Sequence, residues 1–393
     1  MPTRNTQHYD AVIAGARCAG AAAALLLARQ GARVLLLDRS RYGTDTLSTH
    51  ALMRGAVLQL HKWGLLLSVI AAGTPPVRST TFHLPGAVTT IEIKPKHGVD
   101  ALYAPRRTVL DAILADAARD AGAEVRFGVS VTGLRRDRTG RVTGITGRAG
   151  PERLEVSADL VVGADGRRST VARDAGAGTV HQAPASGAVI YRYFREDQAA
   201  GYHWYFRDQA AAGVIPTNDG LACVFAATSA ERLRREPSGG ADAAWRRILA
   251  RAAPELAEWF GHRDAVGPPR VFPGLTGYLR DAAGPGWALV GDAGYFKDPI
   301  TAHGITDALR DAEILAHAVA SWGPDAVRRY QAERDELSLP LFRVTGRIAS
   351  FTWTADQIGD HLLELSEAMA EEAAAMTDND RADPGRRLEL ASA

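Results

Sequence analysis

The spacing of apolar side chains changes character several times along this chain. Residues 10–14 (DAVIA) and 33–38 (RVLLLD) are short, nearly unbroken apolar runs of the kind that form strands buried on both faces. Between them, residues 20–30 (GAAAALLLARQ) carry small and leucine side chains at helical spacing, so a βαβ unit is predicted at the front. Residues 55–63 predict a helix with Val57, Leu58 and Leu60 apolar, and the proline-broken segment 74–93 predicts strands. Residues 108–121 predict a helix with Val109, Ile113, Leu114 and Ala117 on one face, stopped by Gly122. The strand EVRFGV, a hairpin turning at Thr139 and Gly140, and the buried strand DLVVGA at 159–164 follow. Between 187 and 229 the rhythm becomes an alternation rich in aromatics, which predicts an antiparallel sheet with one face covered and the other forming a pocket wall. An amphipathic helix is predicted over 242–260, a strand over 287–291, and helices over 304–321 and from Pro324 onward.

This order predicts an α/β fold in which a Rossmann-like nucleotide-binding domain is interrupted by an inserted antiparallel β-sheet. The first part of the nucleotide domain is predicted over residues 8–181, the inserted substrate domain over 182–273, and the second part over 274–322. C-terminal helices occupy 323–376, and a flexible tail follows over 377–393, where large apolar residues give way to Asp, Arg, Pro and Gly.

Composition narrows the partners. With 46 Lys and Arg against 45 Asp and Glu, no global field draws the protein to nucleic acid or to an anionic membrane, and a small-molecule substrate fits better. Two cysteines, Cys18 and Cys223, exclude a disulfide framework and a Cys-rich zinc site, and no metal is expected. The N-terminus lacks the charged-then-apolar order of a secretion signal, and the apolar run at residues 19–28 is too short to span a bilayer, so no stable membrane insertion is expected. The expected location is cytoplasmic.

The chemistry begins at Gly15, Ala16, Arg17, Cys18, Ala19 and Gly20, a degenerate G-x-G-x-x-G between a strand and a helix. In the full pattern the first glycine makes the tight turn, the second admits a pyrophosphate to the backbone and the third lets helix and strand pack closely. Here Arg17 replaces the second glycine. Its guanidinium either reaches the pyrophosphate or flavin edge or points to solvent; Cys18 is either a small filler or a reactive thiol. Asp38, closing the second strand, is placed to accept from ribose hydroxyls, and Arg39 and Val131 join the cofactor-binding set. Far downstream, WALVGDAGYFKDPITAHGITDALRD at 287–311 returns a strand, Gly291 and Asp292, a Pro299 loop and a helix opened by Gly304. A chain that meets a dinucleotide twice in this way points to FAD, not NAD, as the resident cofactor.

VIAGARCAG with Asp38, VVGADGRRSTVAR with Asp165 and Gly166, and GDAGYFKDPITAHG with Asp292 resemble the three fingerprints of the para-hydroxybenzoate hydroxylase type of flavoprotein, with its glutathione-reductase-type FAD domain. Aromatic hydroxylases belong to that superfamily and, more distantly, geranylgeranyl reductases and flavin-dependent halogenases. The resemblance implies that Asp292 bonds the ribityl chain and that Gly304 and Ile305 offer backbone N–H groups to the flavin pyrimidine edge. Arg107 is similar to the arginine that reaches the ribityl and phosphate region, Asp165 and Gly166 match the motif tied to FAD and nicotinamide, and Pro299 matches the proline beside the ring. A helix N-terminus and bare glycine backbone at that edge would stabilise the charge of reduced flavin. His303 either adds a charge or proton there or packs, and His50, in TLSTH after the second strand, either touches flavin or substrate or shapes a turn.

The implied activity is FAD-dependent monooxygenation of a small organic substrate, aromatic or polycyclic, through a flavin C4a-hydroperoxide, with Pro299, His303 and His50 as catalytic candidates. Tyr191, Tyr193, His203, Trp204 and Tyr205 are candidate pocket residues, or else sheet packing. One dinucleotide signature leaves no separate NAD(P)H domain, so NAD(P)H visits the flavin site or a separate flavin reductase supplies reduced flavin. The alternatives are a reductase or dehydrogenase of a carbon–carbon double bond, similar to geranylgeranyl reductases, and a non-catalytic redox sensor. The halogenase reading is set aside, because no WxWxIP segment is present and Lys94 and Lys96 lie in no recognisable frame.

Overall fold

The computed structural model describes residues 7–196, 200–320, 323 and 325–378. Its first layer is a sheet whose parallel core runs, in spatial order, Trp287–Leu289, Glu152–Gly163, His8–Ala14, Val34–Asp38 and Glu124–Phe127. The hairpin Val129–Arg136 with Val142–Ala149 hangs antiparallel from Glu152–Gly163. The two halves of the sequence thus meet in one sheet: Trp287–Leu289 pairs with Val161–Gly163, which pairs in turn with the first strand. Helix Cys18–Arg29 is rich in Ala and Leu because it is enclosed between the first sheet and two other helices, with ten of its twelve residues buried. Small side chains let it pack against both Arg107–Asp120 and Gly304–Val319.

The second layer is a seven-stranded sheet ordered Ala265–Phe272, Gly187–Arg195, Leu221–Ser229, Ala210–Thr217, Tyr202–Arg207, Ser79–Leu84 and Ala87–Glu92. The strands read at 74–93 therefore do not stay with the nucleotide domain; Ser79–Leu84 joins Tyr202–Arg207 in parallel and extends the antiparallel layer. The alternation expected of these strands is present, with one face covered by helices and the other turned toward the main core. Val189, Tyr191 and Tyr193 turn toward the main core, while Ile190 and Phe194 turn toward Trp245, Ile248 and Phe260. The covering segment is two helices, Gly240–Ala252 and Pro254–Gly261, not one, because Pro254 has no N–H to continue the first and instead starts the second.

Helix Arg107–Asp120 also differs from expectation in its buried face, which is Leu110, Asp111, Leu114, Ala115 and Ala118. Asp111 lies on this face, where it meets Arg107 of its own helix and Arg17 just before the first helix. Helices Gly304–Val319, Ala326–Ile348 and Ala355–Asp378 close the molecule; Ser321 and Pro324, and the tail beyond residue 378, lie outside the described residues. Among the described residues no helix is long and apolar enough to cross a membrane.

Candidate active site

One cavity of about 1170 Å³ runs between the layers. It exceeds the roughly 300–1,000 Å³ that hold a drug-sized ligand, so a dinucleotide and a second molecule can share it.

Its first end is shaped by backbone. The strand His8–Ala14 ends at Gly15, whose φ of 106° suits glycine. A Cβ on Gly15 would lie 2.3 Å from the Ala164 carbonyl oxygen, and one on Gly20 would lie 1.8 Å from the Gly15 oxygen. Gly20 does not line the cavity; it packs helix against strand, as the third glycine of the motif requires. Arg17 begins helix Cys18–Arg29 without a side-chain cap, so the first-turn N–H groups are free for an anion. The Asp38 carboxylate accepts from Ala16 N–H at 2.8 Å and Ser40 N–H at 2.6 Å, fastening the loop while still facing the cavity. With about four lone-pair positions it retains capacity for a ribose hydroxyl. Ala19, Arg39 and Val131 line the same end.

The middle is built on Asp111, which sequence reasoning passed over. Its carboxylate accepts from Arg107 Nη2 at 2.8 Å, Arg17 Nη1 at 3.1 Å and Cys18 Sγ at 3.1 Å. Burial works against the Arg107 charge, but Asp111 more than offsets it and the guanidinium pKa is raised. Arg17 therefore neither swings free nor belongs to a ligand alone: it is tethered at the cavity wall. Burial pushes the Cys18 thiol pKa up, which makes it an inert filler. The signal was available, since Arg107 and Asp111 stand one helical turn apart in RTVLD.

The other end carries Asp292, Pro299, Gly304 and Ile305, all lining the cavity. Gly291 presses on the first helix, where a Cβ would lie 2.9 Å from Ala19 Cβ, so the two motifs touch directly. Burial pushes the Asp292 carboxyl up to about 6, against the pull of Arg167 and Arg107. The Pro299 turn is held by Asp298, which accepts from Ile300 N–H at 3.0 Å and from Gly187 N–H at 2.6 Å. One carboxylate thereby ties the turn to the first residue of the strand Gly187–Arg195. Gly304 begins its helix uncapped, and a Cβ there would meet nothing within 4 Å, which leaves the first turn open to the cavity. Asp165 lines the cavity but spends its oxygens on Ser169 Oγ and Thr170 N–H, capping the helix Thr170–Ala175, with Gly166 beside it at a φ of 77°.

His303 does not face the cavity. Its ring is buried and in contact with Glu372 on the last helix, which places it in internal packing rather than at the cavity wall. His50 lines the cavity at a φ of 70°, with Nε2 2.5 Å from the Tyr193 hydroxyl. Burial, with Arg106 and Arg107 nearby, holds its pKa well below the usual histidine value, so the ring is neutral at physiological pH. Of the candidate aromatics, Tyr191 lines the cavity and accepts from Ser48 N–H at 3.1 Å. Tyr193 lies behind it under Arg106, and Trp204 packs on Tyr202 and Phe225. Tyr205 stacks on His83, and His203 bonds His83; none of these four lines the cavity.

The donors present fit FAD. Two uncapped helix N-termini, a glycine turn that admits no Cβ, a carboxylate at the adenosine end and another at the far end line one continuous wall.

The chain resembles known proteins in the same terms. Over 198 residues it is 34% identical to the 12-dehydrotetracycline 5-monooxygenase/anhydrotetracycline 6-monooxygenase of Streptomyces rimosus, which covers 49% of this chain but only 38% of that protein. It is 28% identical over 337 residues to the digeranylgeranylglycerophospholipid reductase of Methanothrix thermoacetophila, covering 79% of this chain and 78% of the relative. The solved structure of flavin-dependent brominase Bmp2 superposes with a TM-score of 0.79 at 19% identity, covering 96% of this chain and 100% of that one; at that identity the fold is what is shared. A sequence profile of the FAD binding domain family matches residues 8–338. With that match spanning both motifs of the cavity, the chain belongs to the FAD binding domain family.

Proposed function

We propose that the protein is an FAD-dependent monooxygenase acting on a small, largely apolar organic substrate of aromatic or polycyclic type. The observation that carries this reading is one cavity whose lining includes the Gly15 turn, the Pro299 turn and Val189, Tyr191 and Phe272 of the second sheet. Bound FAD would supply electron carriage and activation of O2. The chain's own residues bind and orient. First-turn N–H groups after Arg17 would take the pyrophosphate, Asp38 the ribose, and Asp292 the ribityl hydroxyls. Gly304 and Ile305 would offer N–H groups to the pyrimidine edge, where preorganised dipoles stabilise negative charge. Val189, Tyr191 and Phe272 would exclude water and position the substrate beside Pro299, and neutral His50 would offer a ring nitrogen and no charge. The tetracycline monooxygenase relative supports this reading over half of the chain.

A hydride from NAD(P)H, or reduced flavin from a separate flavin reductase, would supply the two electrons, and with one proton from solvent completing the hydride's share this would balance insertion of one oxygen atom and release of the other as water. A second reading, reduction of a carbon–carbon double bond, is favoured by the reductase relative, whose match covers more of this chain. The deciding experiment loads the purified protein with FAD and supplies NAD(P)H with aromatic and polycyclic substrates. Substrate-dependent oxygen uptake with an oxygenated product is expected. Turnover that persists without oxygen and saturates a double bond would replace it with the reductase reading, and failure to take up FAD would overturn both.

A further inference from the structure

Beneath the Pro299 turn lies a buried set of charges that the proposed function does not use. Lys297 follows the short strand Tyr295–Phe296, so its side chain is carried inward under the turn; it is buried yet contributes to the cavity wall. Its ammonium contacts Asp307 in the first turn of helix Gly304–Val319 and stands 4.9 Å from the Tyr295 ring centroid. Asp307 also accepts from Arg310 Nη1 at 3.2 Å, and Arg310 bonds Asp311 at 2.8 Å and Ser338 Oγ at 2.7 Å. Glu372, from the last helix, contacts both Arg310 and His303. His303, Asp307 and Glu372 bring one ligand atom each within 4.8 Å, the geometry of a metal site, but Lys297 and Arg310 already occupy the carboxylates. The cluster is an internal ion network.

Lys297 lines the cavity wall, and Asp307, of opposite charge, contacts it from outside the lining. Burial raises the carboxyl of Asp292, which lines the cavity, and it feels both members of the pair: Asp307 pushes it further up and Lys297, more weakly, pulls it down. In a buried setting such fields are weakly screened.

We propose that the Lys297–Asp307 pair sets the reduction potential of the flavin: Lys297 favours the negative charge that the ring gains on taking up two electrons and one proton, and Asp307 opposes it. Arg310 and Glu372 fix the pair's position. The inference rests on the reading above that the ring lies between Pro299 and the Gly304 helix.

The test is the two-electron midpoint potential of FAD-loaded protein, measured by dithionite titration against a reference dye. Lys297→Met is expected to lower the reduction equilibrium constant about tenfold, or about 30 mV, and Asp307→Asn to raise it by a similar factor. Lys297→Arg, which keeps the charge, is expected to stay near wild type. Opposite shifts separate an electrostatic role from a structural one, since loosening the turn would move both variants the same way. Shifts of one sign, or none, would overturn the proposal. If Lys297→Met retains no FAD, Asp307→Asn and Lys297→Arg decide it, an unshifted Asp307→Asn overturning it. A wild-type chain that takes up no FAD would instead overturn the functional reading.

Discussion

At the Gly15 end of the cavity the shaping groups belong to one βαβ unit and act through backbone contact; at the Asp292 end they come from distant segments and act through buried charge. Gly15, Gly20 and Asp38 need only the strand, turn and helix that contain them, together with the Ala164 strand end they press on. The other end gathers Asp298 onto Gly187 and Glu372 onto Arg310, contacts spanning 111 and 62 residues. The first kind of wall fails by steric collision. The second fails by loss of charge balance.

The sharpest way to separate the two is to make the same substitution at each end. Gly20→Ala places a methyl 1.8 Å from a carbonyl oxygen, and a loss of about 3 kcal/mol of folding stability is expected in chemical denaturation, with flavin retention lost. Gly304→Ala meets nothing within 4 Å, so the apoprotein should fold with unchanged or slightly higher stability while FAD affinity falls, because the new methyl projects where the cofactor would lie. Equal loss of stability in both variants would erase the distinction.

Asp292 gives the next largest effect and has a pH signature. Its carboxyl is raised from 3.8 to about 6 by burial, so the folded protein favours the protonated form. That contribution to stability is fully present below the ordinary value and is lost as pH rises through about 6. Asp292→Asn should therefore stabilise the apoprotein at pH 8 by about 1–2 kcal/mol, with little gain at pH 4, while weakening FAD binding about tenfold. Urea midpoints at the two pH values and a fluorescence titration with FAD measure both; unchanged FAD affinity would remove Asp292 from the cofactor contacts.

The smallest expected effect is at the His50 loop. Tyr193→Phe leaves the buried His50 Nε2 without its partner, for a cost of about 1 kcal/mol in urea denaturation. Replacement of His50 itself should cost more, since its left-handed backbone conformation is held by that contact and by Ser48.

What was legible in the sequence follows the same division. The Gly15 turn, Asp38 and the helix opened by Gly304 were readable because their signals are local. Asp111 was half readable: the RTVLD spacing joins it to Arg107, but its third partner, Cys18, lies 93 residues away. The alternation of the aromatic strands was legible, and one face does wall the cavity, at Val189 and Tyr191. Their outer face is covered by helices, which takes Tyr205 into packing, while Trp204 packs on Tyr202 and Phe225 on the inner face. His303 was placed at the flavin by its neighbour Gly304; its partner Glu372 stands 69 residues downstream on a separate helix.

The sequence by itself determined the α/β order, the two cofactor motifs and the small-residue helix between layers, because glycine sterics, strand burial and helix periodicity are properties of neighbouring residues. Only the tertiary structure decided which carboxylates are paired, which histidine faces the cavity, and how Lys297 and Asp307 pair at its wall. Those outcomes depend on burial and on charges brought together across the chain, and no local spacing encodes which distant partner arrives.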